Sequence, residues 1–91
     1  MYYNQISIMI ENELIKNLDK VHTTEMGINR IKKNLSLDCD DVVDWCKNQI
    51  KIAGMQGEKI SRKGKNWYVD IGCGIITVNA YSFTIITAHK K

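Results

Sequence analysis

Proline is absent from this 91-residue chain, and no apolar run approaches the length of a membrane span. The longest early one, Ile6 to Ile10, is interrupted by Ser7 and followed by Glu11 and Glu13, which argues against both a signal peptide and a transmembrane helix. A cytoplasmic protein that makes no membrane contact is the expectation. Cysteine is scarce and odd in number: Cys39, Cys46 and Cys73 show no C-x-x-C spacing, so reduced, partly buried thiols are expected rather than a disulfide framework. No Cys/His pair has zinc spacing. Asp38, Asp40, Asp41 and Asp44 lack the glycine and closing glutamate of a calcium loop, so helix capping explains them better and no metal is expected. A G-x-S-x-G elbow, a Walker loop and a dinucleotide fingerprint are also missing; Gly72-Cys73-Gly74 sits between strands, not before a helix. No cofactor is implied.

The composition is that of an ordinary globular protein, and the length gives room for one domain with one core over residues 1–91. Charge is uneven along it. Residues 1–55 hold seven Lys/Arg against eight Asp/Glu, a net of −1, whereas residues 56–91 hold six against two, a net of +4. A basic second half attracts polyanions at long range in a salt-dependent way, or simply forms a solvated surface.

Helical periodicity fills the first half, about 7–53. Ile10, Leu14, Leu18 and Val21 form one stripe, widened by Ile15, which predicts an amphipathic helix over roughly 7–21. His22-Thr23-Thr24 interrupts it, and a threonine there is placed to cap a second helix running to about Leu35, with Glu25 in its first turn, Ile28, Ile31 and Leu35 inward and Arg30, Lys32 and Lys33 outward. Asp38 or Asp40 is a natural cap for a third, in which Val42, Val43, Trp45, Cys46 and Ile50 make a broad apolar face suited to a sheet; Gly54 and Gly57 end it.

The second half, about 58–89, reads as four strands near 59–62, 67–71, 75–79 and 83–89, joined by short links as in an antiparallel meander. The expected architecture is α+β, about three N-terminal helices packed on one face of a four-stranded antiparallel β-meander. Asn79-Ala80-Tyr81-Ser82 lacks glycine, so a four-residue loop on a type I turn is expected. Pairing Val78 with Phe83 would then put Ile76, Val78, Phe83 and Ile85 on the core face with Trp67, Val69 and Ile71. Thr87 and His89 would fall at the end of that face.

Chemistry has few places to reside. The two histidines, His22 and His89, are candidates for general acid or base, together with Thr87. The plainer reading is one histidine at a helix junction and one near the chain end. Arg62-Lys63-Gly64-Lys65-Asn66-Trp67-Tyr68 sets three cations around a glycine turn before two aromatics, which suits phosphates and exposed bases. Alternation sends Trp67 and Tyr68 to opposite faces, so at least one belongs to the core. Arg62, Lys63, Lys65, Tyr68, Asn79 and, on the second helix, Arg30 are the candidate nucleic-acid contacts, with RNA the partner class. The competing reading is a non-enzymatic interaction module, working as a homodimer through a sheet edge or open face.

Several runs carry a family likeness: His22-Thr23-Thr24, Arg30 to Leu35, Asp41 to Lys47, Gly64 to Val69, and Ile76 to Ser82 continuing through Thr84 to Lys90. They resemble a small family of uncharacterised bacterial proteins defined only as a domain of unknown function. That likeness covers nearly the whole chain from about Leu14 and implies no catalytic residues. More distantly, helices followed by a four-stranded meander resemble the metal-independent ribonucleases grouped with barnase, colicin-type nucleases and RelE-like toxins. That resemblance implies an RNA groove between helices and sheet, with Arg62 or Lys65 stabilising charge, His89 or His22 as acid or base, and Thr87 positioning phosphate.

Overall fold

The computed structural model describes residues 12–56 and 58–91. Asn12, extended at φ −87° and ψ 171°, accepts the Ile15 backbone N–H and starts α1, Glu13–Lys16. Asn17 ends it, donating its side-chain amide to the Glu13 carbonyl at 2.8 Å, and a 3-10 turn follows over Leu18–Lys20. Within the described residues the helix expected over 7–21 is therefore a single turn, because two asparagines compete for backbone groups at its ends. Its residues 7–11 lie outside the described residues. Leu14 and Val21 of the expected stripe are nonetheless buried.

α2 spans Glu25–Leu35, with the Thr24 hydroxyl accepting the Gly27 N–H at 3.0 Å and Ser36 closing it in the left-handed region at φ 55°. α3 spans Val42–Gly54. Its cap is Asp41, not Asp38 or Asp40: Asp41 stands extended immediately before Val42, and its carboxylate accepts the Asp44 N–H at 2.9 Å. Gly54 is the last helical residue, and Gly57 lies outside the described residues.

The strands β1 (Ile60–Lys63), β2 (Asn66–Asp70), β3 (Gly74–Asn79) and β4 (Ile85–Lys90) form one antiparallel sheet in the order β1-β2-β3-β4. Gly64, at φ 62° and first in the two-residue turn between Lys63 and Asn66, supplies the backbone that a tight hairpin requires. The β3–β4 turn has no glycine, and Phe83 itself takes the left-handed conformation at φ 60°. Asn79 offsets that strain: its side-chain oxygen accepts the N–H groups of Tyr81 and Ser82, both at 2.9 Å, and its carbonyl accepts the Phe83 N–H.

This turn overturns the expected register. Val78 pairs with Ile85 rather than Phe83, and Thr77 pairs with Thr87, so Ile86 is an extra residue. Such a bulge reverses the alternation beyond it. Ala88 therefore turns inward and is fully buried, while Thr87 and His89, expected at the end of the core face, lie on the opposite face. Phe83 is half-buried beside the core rather than within a strand.

One buried cluster joins Leu14, Val21, Ile31 and Leu35, the α3 residues Val42, Cys46, Ile50 and Ala53, and the sheet residues Trp67, Val69, Ile76, Val78, Ile85 and Ala88. α2 lies against β4 and α3 against β2, while α1 packs on α3. Burial pushes the Cys46 thiol up to about 12, with the nearby Cys39 adding to the rise, so it is a packed apolar group at neutral pH. β4 is an edge strand, and several backbone groups on and just before its outer edge are taken. His22 N–H reaches the Phe83 carbonyl, Thr23 hydroxyl the Ile85 carbonyl and the Asn34 amide the Ala88 carbonyl, each at 3.1 Å. At the far end of β3, a Cβ on Gly74 would press into the His89 carbonyl oxygen, which as backbone of the paired strand cannot swing aside. Gly74→Ala is expected to destabilise the protein by about 1–3 kcal/mol, the cost of overpacking, read as a lowered urea midpoint at unchanged m-value.

Candidate functional site

In a meander the first and third hairpin turns fall at the same end of the sheet. The backbone ties them together here, Ala80 N–H donating to the Lys65 carbonyl at 2.8 Å. Arg62 bridges the two turns with its side chain. Its Nε donates to the Gly64 carbonyl at 2.9 Å, and its guanidinium carbon lies 5.4 Å from the Trp67 ring centre and 5.5 Å from that of Tyr81. These distances define a cation held against two aromatic rings. Trp67 is the buried member, Tyr81 the exposed one at 72%. Lys63 and Lys65 project beside them, both exposed. Among the described residues, the ion pairs join Lys16 to Glu13 and Asp70 to Lys59 and Lys91, so none neutralises Arg62, Lys63 or Lys65. On the outer sheet face a hollow of about 420 Å³ is lined by Ser61, Arg62, Lys63 and the half-buried Tyr68.

The same turn carries a chain of polar side chains toward His22. Nδ1 of His22 lies 2.8 Å from the Lys20 carbonyl, which can only accept, so that nitrogen carries the proton. In the neutral ring Nε2 is then a bare acceptor, and the Thr84 hydroxyl stands 3.2 Å from it. Ser82 Oγ is 2.8 Å from Thr84 Oγ1 and 3.2 Å from Asn79 Oδ1. A base oriented by a carbonyl, with a hydroxyl on its free nitrogen, is the arrangement that activates a hydroxyl or carries a proton.

The predicted residues divide between the two ends of the sheet. Arg62, Lys63, Lys65, Asn79 and His22 gather at the hairpin end. His89 faces Ile75 near the far end of β4, five residues beyond Thr84 and so roughly 16 Å from it at about 3.3 Å per residue. Thr87 pairs with Thr77 on the outer face, and Arg30 is exposed on α2. The two histidines therefore do not share a groove. Sequence reasoning passed over Tyr81, Thr84 and Lys20. The Asn79-to-Ser82 turn chemistry was a local signal for the first; the contact between His22 and Thr84 joins residues 62 positions apart and left none.

At the opposite end, Asp70 accepts from Gly72 N–H and from the Lys91 ammonium, both at 2.9 Å, beside a cavity of about 110 Å³ between α3 and the β2–β3 turn. No group of three or more His, Cys, Asp or Glu residues that could hold a metal occurs among the described residues, and no described helix is long and apolar enough to cross a membrane.

Helices leading into a four-stranded antiparallel meander, with one polar end where two turns meet, define a small α+β protein. The chain belongs to a family of proteins of unknown function, DUF3781, whose family model matches residues 15–89. The match takes in His22, the cation-rich turn and Thr84, and it stops on His89. No curated protein and no solved structure matches the chain.

The Gly72 hydrogen bond first, and then Lys91, hold the Asp70 carboxyl below its ordinary value. A depressed folded value means that its stabilisation is present above the ordinary carboxylate pKa of about 4 and is lost as pH falls through the folded value. Asp70→Asn is expected to flatten that acid limb in urea titrations run from about pH 5 downward, with little slope change at neutral pH.

Proposed function

We propose that the protein is an RNA-binding module whose contact surface is the end of the sheet where the β1–β2 and β3–β4 turns meet. The observation that carries this reading is the set of Arg62, Lys63 and Lys65 at one end of the sheet, with no carboxylate partner among the described residues, Arg62 against the exposed Tyr81 ring and Lys63 beside the Tyr68 hollow of the outer face. Cations supply sequence-independent phosphate attraction, and aromatic faces supply stacking to any base. Asn79 serves this surface by fixing the turn that presents Tyr81. Arg30, on α2, would take phosphate only if a strand extends past the helices. His89 and Thr87, on β4 beyond Thr84, are peripheral to this surface.

A second reading, metal-independent cleavage of the bound RNA, is supported by the His22–Thr84–Ser82 chain. Here His22 is the base and Thr84 the hydroxyl on its free nitrogen. His89 has no part in the step, because it lies along β4 from that chain. Pairing between copies of the chain has weaker support: the exposed apolar residues Met26, Ile52, Met55 and Ile86 are scattered over three elements.

Fluorescence anisotropy with a labelled RNA oligonucleotide at low salt tests the first reading. Binding is expected to weaken as salt rises, with the slope of log K against log salt reduced by roughly 0.7–0.9 for each of Arg62→Ala, Lys63→Ala and Lys65→Ala. Absence of binding at low salt would sink it. Incubation with the same RNA in EDTA tests the second. Cleavage lost in His22→Ala and Thr84→Val while binding persists is the supporting result; intact RNA with wild-type protein excludes cleavage.

A further inference from the structure

Tyr81 is exposed at 72%, yet it is not a loose side chain. Its turn is fixed by Asn79 Oδ1, which accepts the Tyr81 and Ser82 N–H groups, and by the Ala80 bond to Lys65. The ring lies over the Arg62 guanidinium at 5.5 Å, and its hydroxyl accepts from Arg62 Nη2 at 3.4 Å. Arg62 is anchored in turn by the Gly64 carbonyl and packed against Trp67. Arg62 thus links the buried indole to a largely exposed phenol ring. Core packing does not account for that surface, and the free energy of folding gains little from exposing it.

Two further lysines belong to segments that contact the chain neighbours of Tyr81. Lys65 is tied through its carbonyl to the residue preceding Tyr81, and Lys20 Nζ lies 6.0 Å from the ring centre of Phe83, two residues after it. A polymer of phosphates and unpaired bases offers charge to the cations of this end and a flat π surface to the exposed ring. Duplex RNA offers no such surface, because its bases are stacked inside an A-form helix and only its edges and phosphates face outward. The structure assigns to Tyr81 the role of a stacking platform for one unpaired base, so that the ligand of the hairpin end is single-stranded RNA. This rests on the RNA-binding reading and names the form of RNA that the surface selects.

The full-length chain is titrated by anisotropy against a labelled single-stranded RNA and against the same strand annealed to its complement, at one fixed low salt concentration. The single strand is expected to bind more tightly. Tyr81→Ala is expected to weaken single-strand binding by about 5- to 150-fold, the range of losing one stacked base, and to leave duplex binding unchanged. Tyr81→Phe keeps the ring and is expected to bind as the wild type does. Thermal melting of both variants should match the wild type, since the ring is largely outside the core. Duplex bound as tightly as single strand, or single-strand binding indifferent to Tyr81→Ala, overturns this inference while leaving RNA binding in place. Failure of wild-type protein to bind either form overturns both.

Discussion

Two backbone hydrogen bonds organise the functional end of the molecule: His22 N–H to the Phe83 carbonyl at 3.1 Å, and Ile85 N–H to the His22 carbonyl at 2.7 Å. They make the junction before α2 a short parallel partner of β4. The start of β4 is thereby placed against the helices, Val21 and Ile85 enter one core, and the imidazole meets Thr84. The left-handed Phe83 is the counterpart of this bridge, since it turns the chain out of the Asn79 loop toward the strand. A strained backbone of this kind costs of order 1–3 kcal/mol, and it persists where surrounding contacts over-determine it, as the Asn79 side chain and the His22 bridge do here.

Local signals in the chain sufficed for most of the architecture. A threonine before Glu25 marked the start of α2, where Thr24 proves to be the cap, and alternation through Trp67, Val69, Ile76 and Val78 marked the inward face of β2 and β3; each agrees with the structure. Failures cluster where a side chain competes with the backbone. Among the described residues, Asn12 and Asn17 confine the first helix to one turn, because periodicity counts apolar positions and is blind to amide hydrogen bonds. The register of β4 was missed for a related reason. Its bulge depends on Asn79 stabilising a turn in which a phenylalanine takes a conformation ordinarily left to glycine.

The candidate site was legible in the same uneven way. Cations flanking Gly64 are visible in any reading of the sequence, and they lie where the hairpin pattern puts them. What makes them a surface rather than a solvated turn is the neighbouring loop, whose Tyr81 covers Arg62 from 19 positions away. Grouping the two histidines followed from assuming unbroken alternation along β4. One inserted residue, Ile86, sends that end of the strand the other way, and the length of the strand separates His89 from His22. Trp67 leaves a residual puzzle of chemistry: its indole N–H is buried with no partner, a cost a phenylalanine would avoid. The wider π surface an indole offers to Arg62 is the compensating contact.

The capped outer edge of β4 has a consequence for how this molecule behaves in company. Sheets grow by adding strands where backbone groups are free, and that open edge is the usual route to fibrils and swapped assemblies. With Thr23 and Asn34 occupying carbonyls of β4 and His22 bridging its start, lateral growth there would have to displace these contacts from the helical layer. Among the described residues, β1 is the strand at the other edge. Its four residues are short for the purpose, and a newcomer would have to strip water from Arg62 and Lys63. The side chains that mark the protein's polar end thus also act as its guard against polymerisation.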